Sequence, residues 1–206
     1  VGVFISEGGL DVEDAASQSV YARPTDIGDP SATVDNFTID SYNNVQYHTP
    51  ADLLPFGTSF KVAYAPNTSD TSAGSSGNNA GAVNTKAADN TGDNATEMQI
   101  KVAPIDGLTL GASYFDFSQD GVAKMDQNAE SGAYYATYAV GPAVIGMSKS
   151  FAANAVNVTT AEAVESVENS KISIGVNVNE NLSISYEEEE SELWTNDDSN
   201  EDDNWN

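Results

Sequence analysis

The sequence predicts an all-β protein made of antiparallel, up-and-down β-strands. Apolar residues recur at every second position in several segments, these segments come in pairs joined by short connections, and long polar segments separate the pairs. The clearest example is KISIGVNVNENLSISYEEEE, residues 171–190, where two alternating runs flank an Asn-Glu-Asn hinge. A period of two residues is the period of a strand, and here it leaves one face of each strand apolar.

About eight strands follow from this pattern, in four pairs. In chain order they are YNNVQYHTP with GTSFKVAYAP, joined by residues 51–56; EMQIKVAP with GLTLGASYFDF, joined at Ile105-Asp106; AYYATYAV with AVIGMSKSF, hinged at Gly141-Pro142; and the two runs of residues 171–186.

The connections between the pairs are long and polar. Residues 66–96, 118–131 and 152–170 are rich in Gly, Asn, Ser, Thr and Asp and have no apolar period, which is typical of loops. Within the last of them, TTAEAVESVENS, residues 159–170, is expected to form a helical turn or two. Because short and long connections alternate, all the short turns lie at one end of the strands.

Each strand has an apolar face and a face of small or polar residues, and two architectures are compatible with that pattern. In a soluble sandwich the apolar face packs on a second sheet; in a membrane β-barrel it faces lipid and the polar face lines a wet interior. Aromatic residues favour the barrel, because they fall at the ends of the apolar stripes, where rings lie at the level of the lipid head groups. These aromatic residues are Tyr64, Tyr114, Tyr138, Phe151 and Tyr186.

Composition excludes several functions. The 206 residues include 7 Lys and Arg against 32 Asp and Glu, a formal net charge of -25, so the chain lacks the basic surface that nucleic acid requires. It has no cysteine and a single histidine, His48, which leaves no thiolate site and no multi-histidine zinc site. No run approaches the roughly 18 apolar residues of a membrane-spanning helix. No nucleophile elbow or phosphate-binding loop is present, so we expect neither an enzyme nor a cofactor.

Residues 42–190 resemble the general porins of Gram-negative bacteria. Their pattern of strands, short turns and long loops is similar to that of porins of marine alphaproteobacteria. The resemblance lies in NNVQYHTP followed by GTSFKVAYAP, in GLTLGASYF and in YYATYAVGPAVIGMSKSF. It implies a trimeric outer-membrane barrel, usually of sixteen strands, whose polar pore admits small hydrophilic solutes and ions by passive diffusion. The implied surroundings are outer-membrane lipid and lipopolysaccharide.

The resemblance also implies three regions. Residues 1–41 correspond to the inward-folded constriction loop, residues 42–190 to the barrel wall, and residues 191–206 to an acidic external loop that gathers divalent cations loosely. The acids expected at the constriction are Asp11, Glu13, Asp14, Asp26 and Asp29, and the expected polar wall residues facing them are Lys61, Gln99 and Lys101. Acidic loops and lining would favour cations.

Further expectations concern the lysines and the chain ends. Lys149 and Lys171 are predicted at strand ends, where long side chains reach from the apolar band to lipid phosphates. The chain starts without Met or a signal peptide and stops at DDNWN, without the final aromatic strand of the family, so we expect a piece of a longer protein. The alternative is a soluble, secreted acidic β-protein, such as an adhesin or surface-layer module that binds partners or calcium. A glycan-degrading enzyme is a third class, but no carboxylate pair stands out.

Overall fold

The structure, a computed structural model, describes Leu10 and residues 38–39, 44–50, 53–66, 73–74, 94–118, 128–153, 164–195 and 204–205. These residues are all-β, with one 3₁₀ turn at Pro55–Gly57 and no α-helix. The strands are β1 (Thr38–Ile39), β2 (Val45–His48), β3 (Ser59–Ala65), β4 (Ala73–Gly74), β5 (Asn94–Ile105), β6 (Leu108–Ser118), β7 (Ala129–Val140), β8 (Ala143–Ala153), β9 (Val164–Asn179), β10 (Leu182–Thr195) and β11 (Asn204–Trp205).

Nine of these strands form one antiparallel sheet in the order β11-β10-β9-β8-β7-β6-β5-β3-β2. The four predicted hairpins are confirmed as β2–β3, β5–β6, β7–β8 and β9–β10. Eight of the nine strands run up and down in chain order, and the two-residue β11 adds to β10. Strands β1 and β4 form a separate two-stranded sheet. In the described part of the chain, β2 and β11 are the edges of the large sheet.

Three of the hairpins close through two residues each, at positions 106–107, 141–142 and 180–181. Gly107 has φ +78°, a left-handed conformation that a side chain disfavours, and its carbonyl accepts the Ala139 N–H at 2.8 Å. At the predicted Asn-Glu-Asn hinge, the Asn181 N–H donates to Asn179 Oδ1 at 2.9 Å. These turns define the turn end of the sheet; the other end is the far end.

At the far end the strands are longer than the sequence predicted. Strand β9 begins at Val164, so the helical turn expected within residues 159–170 is wrong for 164–170, which belong to a strand. Strand β7 begins at Ala129, inside the predicted loop 118–131, and β10 continues to Thr195, into the predicted external loop 191–206. These segments lack an apolar period, but their backbones still complete the antiparallel ladder.

The two faces of the sheet differ in burial. The face that carries small and polar residues is buried toward the far end and exposed toward the turns, and we call it the sheltered face. Its buried polar members are Gln46, Glu97, Ser113, Ser131, Ser148, Ser150, Asn169, Ser173 and Ser191. The opposite, apolar face is exposed. Its exposed members include Val45, Tyr64, Ile100, Tyr138, Ile145, Met147, Ile172, Ile174, Ile184 and Tyr186.

Candidate functional site

The sheltered face is the candidate site, because it concentrates polar and charged groups away from solvent. Across β2, β3 and β5 it carries a basic corner: His48 is the cross-strand partner of Lys61, which on its other side is opposite Gln99. Lys101 is opposite Ser59, two residues further along β5. His48 Nε2 lies 3.0 Å from Gln46 Oε1. The structure thus places the three predicted wall residues on one face of two adjacent strands.

On β9 and β10 the sheltered face carries an ion pair. Lys171 Nζ lies 3.0 Å from Glu189 Oε1, and the two side chains are only 14% and 10% exposed. Asn169 Nδ2 donates to the same oxygen at 3.4 Å. The prediction that Lys171 marks a strand end is therefore wrong, because it lies inside β9 and points to the polar side of the sheet.

The acidic run that begins at Glu187 continues the strand, and its residues alternate between faces. Glu187 and Glu189 lie on the sheltered face with Ser173 and Lys171 opposite them, whereas Glu188 is opposite the exposed Ile172. The external loop was expected at residues 191–206, but β10 continues into this range as far as Thr195. A run of like charges stays in a strand because alternation separates neighbouring carboxylates onto opposite faces.

Glu97 is the most buried charged residue of the sheltered face, with 0% exposure. Its carboxylate accepts two backbone N–H groups from a distant part of the chain: Oε2 accepts the Leu10 N–H at 2.6 Å, and Oε1 accepts that of Ile39. Hydrogen bonds from backbone N–H groups satisfy a carboxylate that is buried away from water. No sequence motif marks Glu97, although alternation with Gln99 and Lys101 puts it on the same face.

Leu10 and Ile39 belong to an apolar cluster near the far end of the sheltered face. Both are buried, at 6% and 1% exposure, and they pack against wall residues of β3, β5, β6, β8 and β9. The wall residues of this cluster are Ala63, Ala65, Ala95, Phe115, Phe117, Ala152 and Val167, with Leu193 packed against it. Strand β1 also pairs with β4, so segments from before β2 and after β3 meet there. The described points of the 1–41 region, Leu10 and Ile39, therefore lie against the sheltered face of the sheet.

Tyr135 occupies the middle of the sheltered face. It is 7% exposed, and its ring lies over Gly111, its direct cross-strand partner. A Cβ at Gly111 would lie 2.5 Å from Tyr135 Cζ and 2.7 Å from its Oη, so the ring fills the place of the missing side chain. The absence of a side chain at Gly111 is what lets the Tyr135 ring occupy this space on the sheltered face.

All five aromatic residues expected at the edges of the apolar stripes lie on the apolar face. Tyr114 and Phe151 share one register row, with Gly132 between them, and Tyr114 Oη donates to Glu130 Oε2 at 2.6 Å. Tyr64 lies next to the far end of β3, and Tyr138 lies two residues from the turn end of β7. Tyr186 is in the same register row as Tyr138 and is 64% exposed.

Lys149 also lies on the apolar face, where Glu168 on β9 pairs with it. The Nζ atom of Lys149 and Oε2 of Glu168 are 3.6 Å apart, and both side chains are close to half exposed. An exposed pair of this kind contributes little to stability, on the order of 0–1 kcal/mol. Lys149 lies beyond Met147 on the side of the far end, inside β8 rather than at its end.

The apolar stripe runs diagonally across the sheet. On β3 it is centred at Val62 and on β10 at Ile184, but the register row that starts at Val62 passes through Tyr114 and Phe151 and reaches β10 at Glu192. The stripe is therefore displaced by eight residues over six strand-to-strand steps. Eight residues span about 27 Å along a strand, and six steps between neighbouring strands span about 29 Å across the sheet. The ratio of these two lengths means that the strands are tilted by roughly 40° from the normal to the stripe.

The acids predicted at a constriction lie outside the described residues; these are Asp11, Glu13, Asp14, Asp26 and Asp29. In the described ranges no cluster of three or more His, Asp or Glu side chains could hold a metal ion. No helix in the part of the chain that the structure describes is long and apolar enough to span a membrane. Comparisons with protein-family models, with curated proteins and with solved structures found no match.

Proposed function

We propose that the chain forms wall strands of an outer-membrane porin of a Gram-negative bacterium, through which small hydrophilic solutes and ions diffuse passively. In this proposal the apolar face contacts lipid, the sheltered face lines a water-filled pore, and the barrel has about sixteen strands and assembles as a homotrimer. No chemical step and no cofactor are involved.

The observation that carries the proposal is the difference in burial between the two faces of the sheet. Large aliphatic side chains such as Ile172 and Ile184 are 65% and 60% exposed, while Ser131 and Asn169 on the other face are 0% and 2% exposed. In water each exposed aliphatic side chain forgoes about 1.5–3 kcal/mol of burial free energy, and soluble monomers rarely expose apolar patches of this extent. Lipid removes that cost, because hydrocarbon is as apolar as these side chains.

The tilt of the apolar stripe supports a barrel over a sandwich. In a membrane barrel the lipid-facing band must be perpendicular to the barrel axis, while the strands tilt by about 35–45°. A band drawn across such strands shifts steadily in register, as the shift from Val62 to Ile184 does. In a soluble sandwich a second sheet would have to cover this face. In the ranges that the structure describes, the only other sheet is β1–β4, whose Ile39 packs on the sheltered face.

The charges on the sheltered face bear on ion selectivity. The described charged side chains there are three lysines and three glutamates, namely Lys61, Lys101, Lys171, Glu97, Glu187 and Glu189. The wall itself is thus close to neutral, with a basic corner on β3 and β5 and acids on β10. Preference for cations would come from the acids of residues 1–41 and from the net charge of -25. Opposed charges on separate parts of the wall would create a field across the pore.

Conductance in planar lipid bilayers tests the proposal. The full-length protein, purified in detergent and added to the bilayer, is expected to produce discrete conductance steps with a reversal potential that indicates cation preference in a salt gradient. A sample heated until its β-sheet signal in circular dichroism is lost serves as the control and should produce no steps.

The absence of discrete steps from folded protein, or strong anion preference, would count against a cation-favouring porin. Recovery of folded protein in buffer without detergent would instead favour the soluble, secreted β-protein, since the apolar face would then be covered by protein rather than by lipid.

A further inference from the structure

Glu97 joins two parts of the chain that are far apart in sequence. Its two carboxylate oxygens accept the backbone N–H groups of Leu10 and Ile39, 87 and 58 residues away from it. Glu97 itself is held in β5 between Ala63 on β3 and Phe115 on β6. The acceptor is therefore part of the wall, and both donors belong to the region that precedes the first wall strand.

Burial strengthens the two hydrogen bonds that the Glu97 carboxylate accepts. Glu97 is fully buried, and a carboxylate in that position is costly unless hydrogen-bonded donors compensate for the lost water. Hydrogen bonds to an ionised carboxylate are roughly twice as strong as neutral ones. Ile39 also pairs with Ala73 of β4, which is not part of the large sheet. The side chains of Leu10 and Ile39 pack in the apolar cluster, and such packing is not directional. Glu97 therefore supplies directional contacts between these two backbone points and the large sheet.

We propose that Glu97 is a positioning residue that clasps the chain at Leu10 and at Ile39 against the sheltered face. The consequence for permeation rests on the function proposed above: Leu10 and Ile39, held against the sheltered face, then lie at the lining of the pore. Glu97 thus acts on the pore through the backbone at these two points, without needing to contact the solute.

Thiol labelling tests the clasp without relying on channel activity. The chain has no cysteine, so Ile39→Cys provides a unique reporter at a position that is 1% exposed, and Leu10→Cys a second one. In detergent-folded protein, both thiols are expected to react slowly with a polar maleimide. Adding Glu97→Ala should raise both labelling rates about tenfold or more, because loss of a hydrogen bond to a charged group shifts local opening by that order.

Glu97→Gln keeps the shape and one acceptor oxygen, so an intermediate rate is expected. This variant decides the matter if Glu97→Ala does not fold. Glu130→Gln is the matched control: it makes the same chemical change on β7, but on the apolar face, and should leave both rates unchanged. Equal labelling rates in the Glu97 variants and the parent would overturn the clasp.

Single-channel recording of the same variants then tests the effect on the pore. We expect Glu97→Ala to raise the conductance step and the current noise relative to the parent and to Glu130→Gln. If labelling changes but no variant forms channels, the clasp stands and the porin function fails. If channels form and labelling rates do not change, the clasp fails and the porin function stands.

Discussion

At the scale of single residues, the close pair of Gly111 and Tyr135 shows how a bulky ring is accommodated on the sheltered face. Glycine inside a strand normally costs about 0.5–1 kcal/mol relative to alanine. Here the cross-strand ring covers Gly111, so any side chain at position 111 would have to displace it. An aromatic residue opposite a strand glycine is a known way to recover stability at such a position.

Gly111→Ala should therefore destabilise the protein, by about 1–3 kcal/mol, as expected for overpacking. The free energy of unfolding in urea, followed by circular dichroism in detergent, measures this loss. In a Tyr135→Ala background the ring is gone, and the same Gly111→Ala change should be neutral or stabilising because alanine restricts the unfolded chain. Equal destabilisation in the two backgrounds would contradict the role assigned to the ring.

How far the sequence predicts single residues depends on whether alternation alone decides their environment. Lys61, Gln99 and Lys101 were assigned correctly to the polar face because each lies within a regular apolar alternation. Lys171 was wrongly placed at a strand end, because β9 begins at Val164, in a segment that has no apolar period. Its ion pair with Glu189 depends on the register between β9 and β10, which no local pattern reveals. The clasp by Glu97 is beyond sequence reasoning for the same reason: its donors are 87 and 58 residues away.

At the scale of the element, β10 shows that a run of charged residues can continue a strand rather than end it. Its apolar part, from Leu182 to Tyr186, was predicted as a strand, whereas residues from 191 onward were expected to form an external loop. The structure extends the ladder with β9 to Thr195, so the apolar pattern marks where the environment is apolar and not where hydrogen bonding stops. The underprediction of β7 and β9 has the same cause.

Alternation in β10 leads to a prediction about selectivity, which holds if the sheltered face lines a pore. Glu189→Gln removes a wall carboxylate and leaves Lys171 without its 3.0 Å partner, so the reversal potential in a salt gradient should move toward anion preference. Glu188→Gln is the matched control, because it removes the same charge one residue away on the lipid side.

The control should shift the reversal potential far less than Glu189→Gln does, since lipid-side charges are separated from the pore by the wall. Equal shifts of the reversal potential in the two variants would show that selectivity depends on the net charge of the protein and not on the face that carries the carboxylate.

At the scale of the whole molecule, the diagonal course of the apolar stripe becomes visible only when the cross-strand pairs of all strands from β3 to β10 are known. A strand taken alone predicts its own apolar face, and the faces predicted for β3, β5, β6, β7, β9 and β10 agree with the cross-strand register. Their relative heights come from the cross-strand pairs, which show the stripe descending by eight residues between β3 and β10. A tilt of roughly 40° is within the range of strands in closed barrels, and under the proposed function it gives the apolar stripe an orientation relative to the membrane.

That orientation predicts the depth of individual positions in a bilayer. Single cysteines at Val62 and Ile184, each labelled with an environment-sensitive fluorophore, should be quenched equally by lipids brominated at the same acyl depth, although the two residues are eight positions apart in register. A label at Glu192, directly in register with Val62, should lie about 20 Å further along the barrel axis and escape quenching. A label at Ser173, on the sheltered face, should be quenched by aqueous iodide instead. Equal quenching of Val62 and Glu192 would mean that the strands stand upright in the bilayer, and iodide quenching at Ile184 as strong as at Ser173 would mean that the apolar face does not contact lipid.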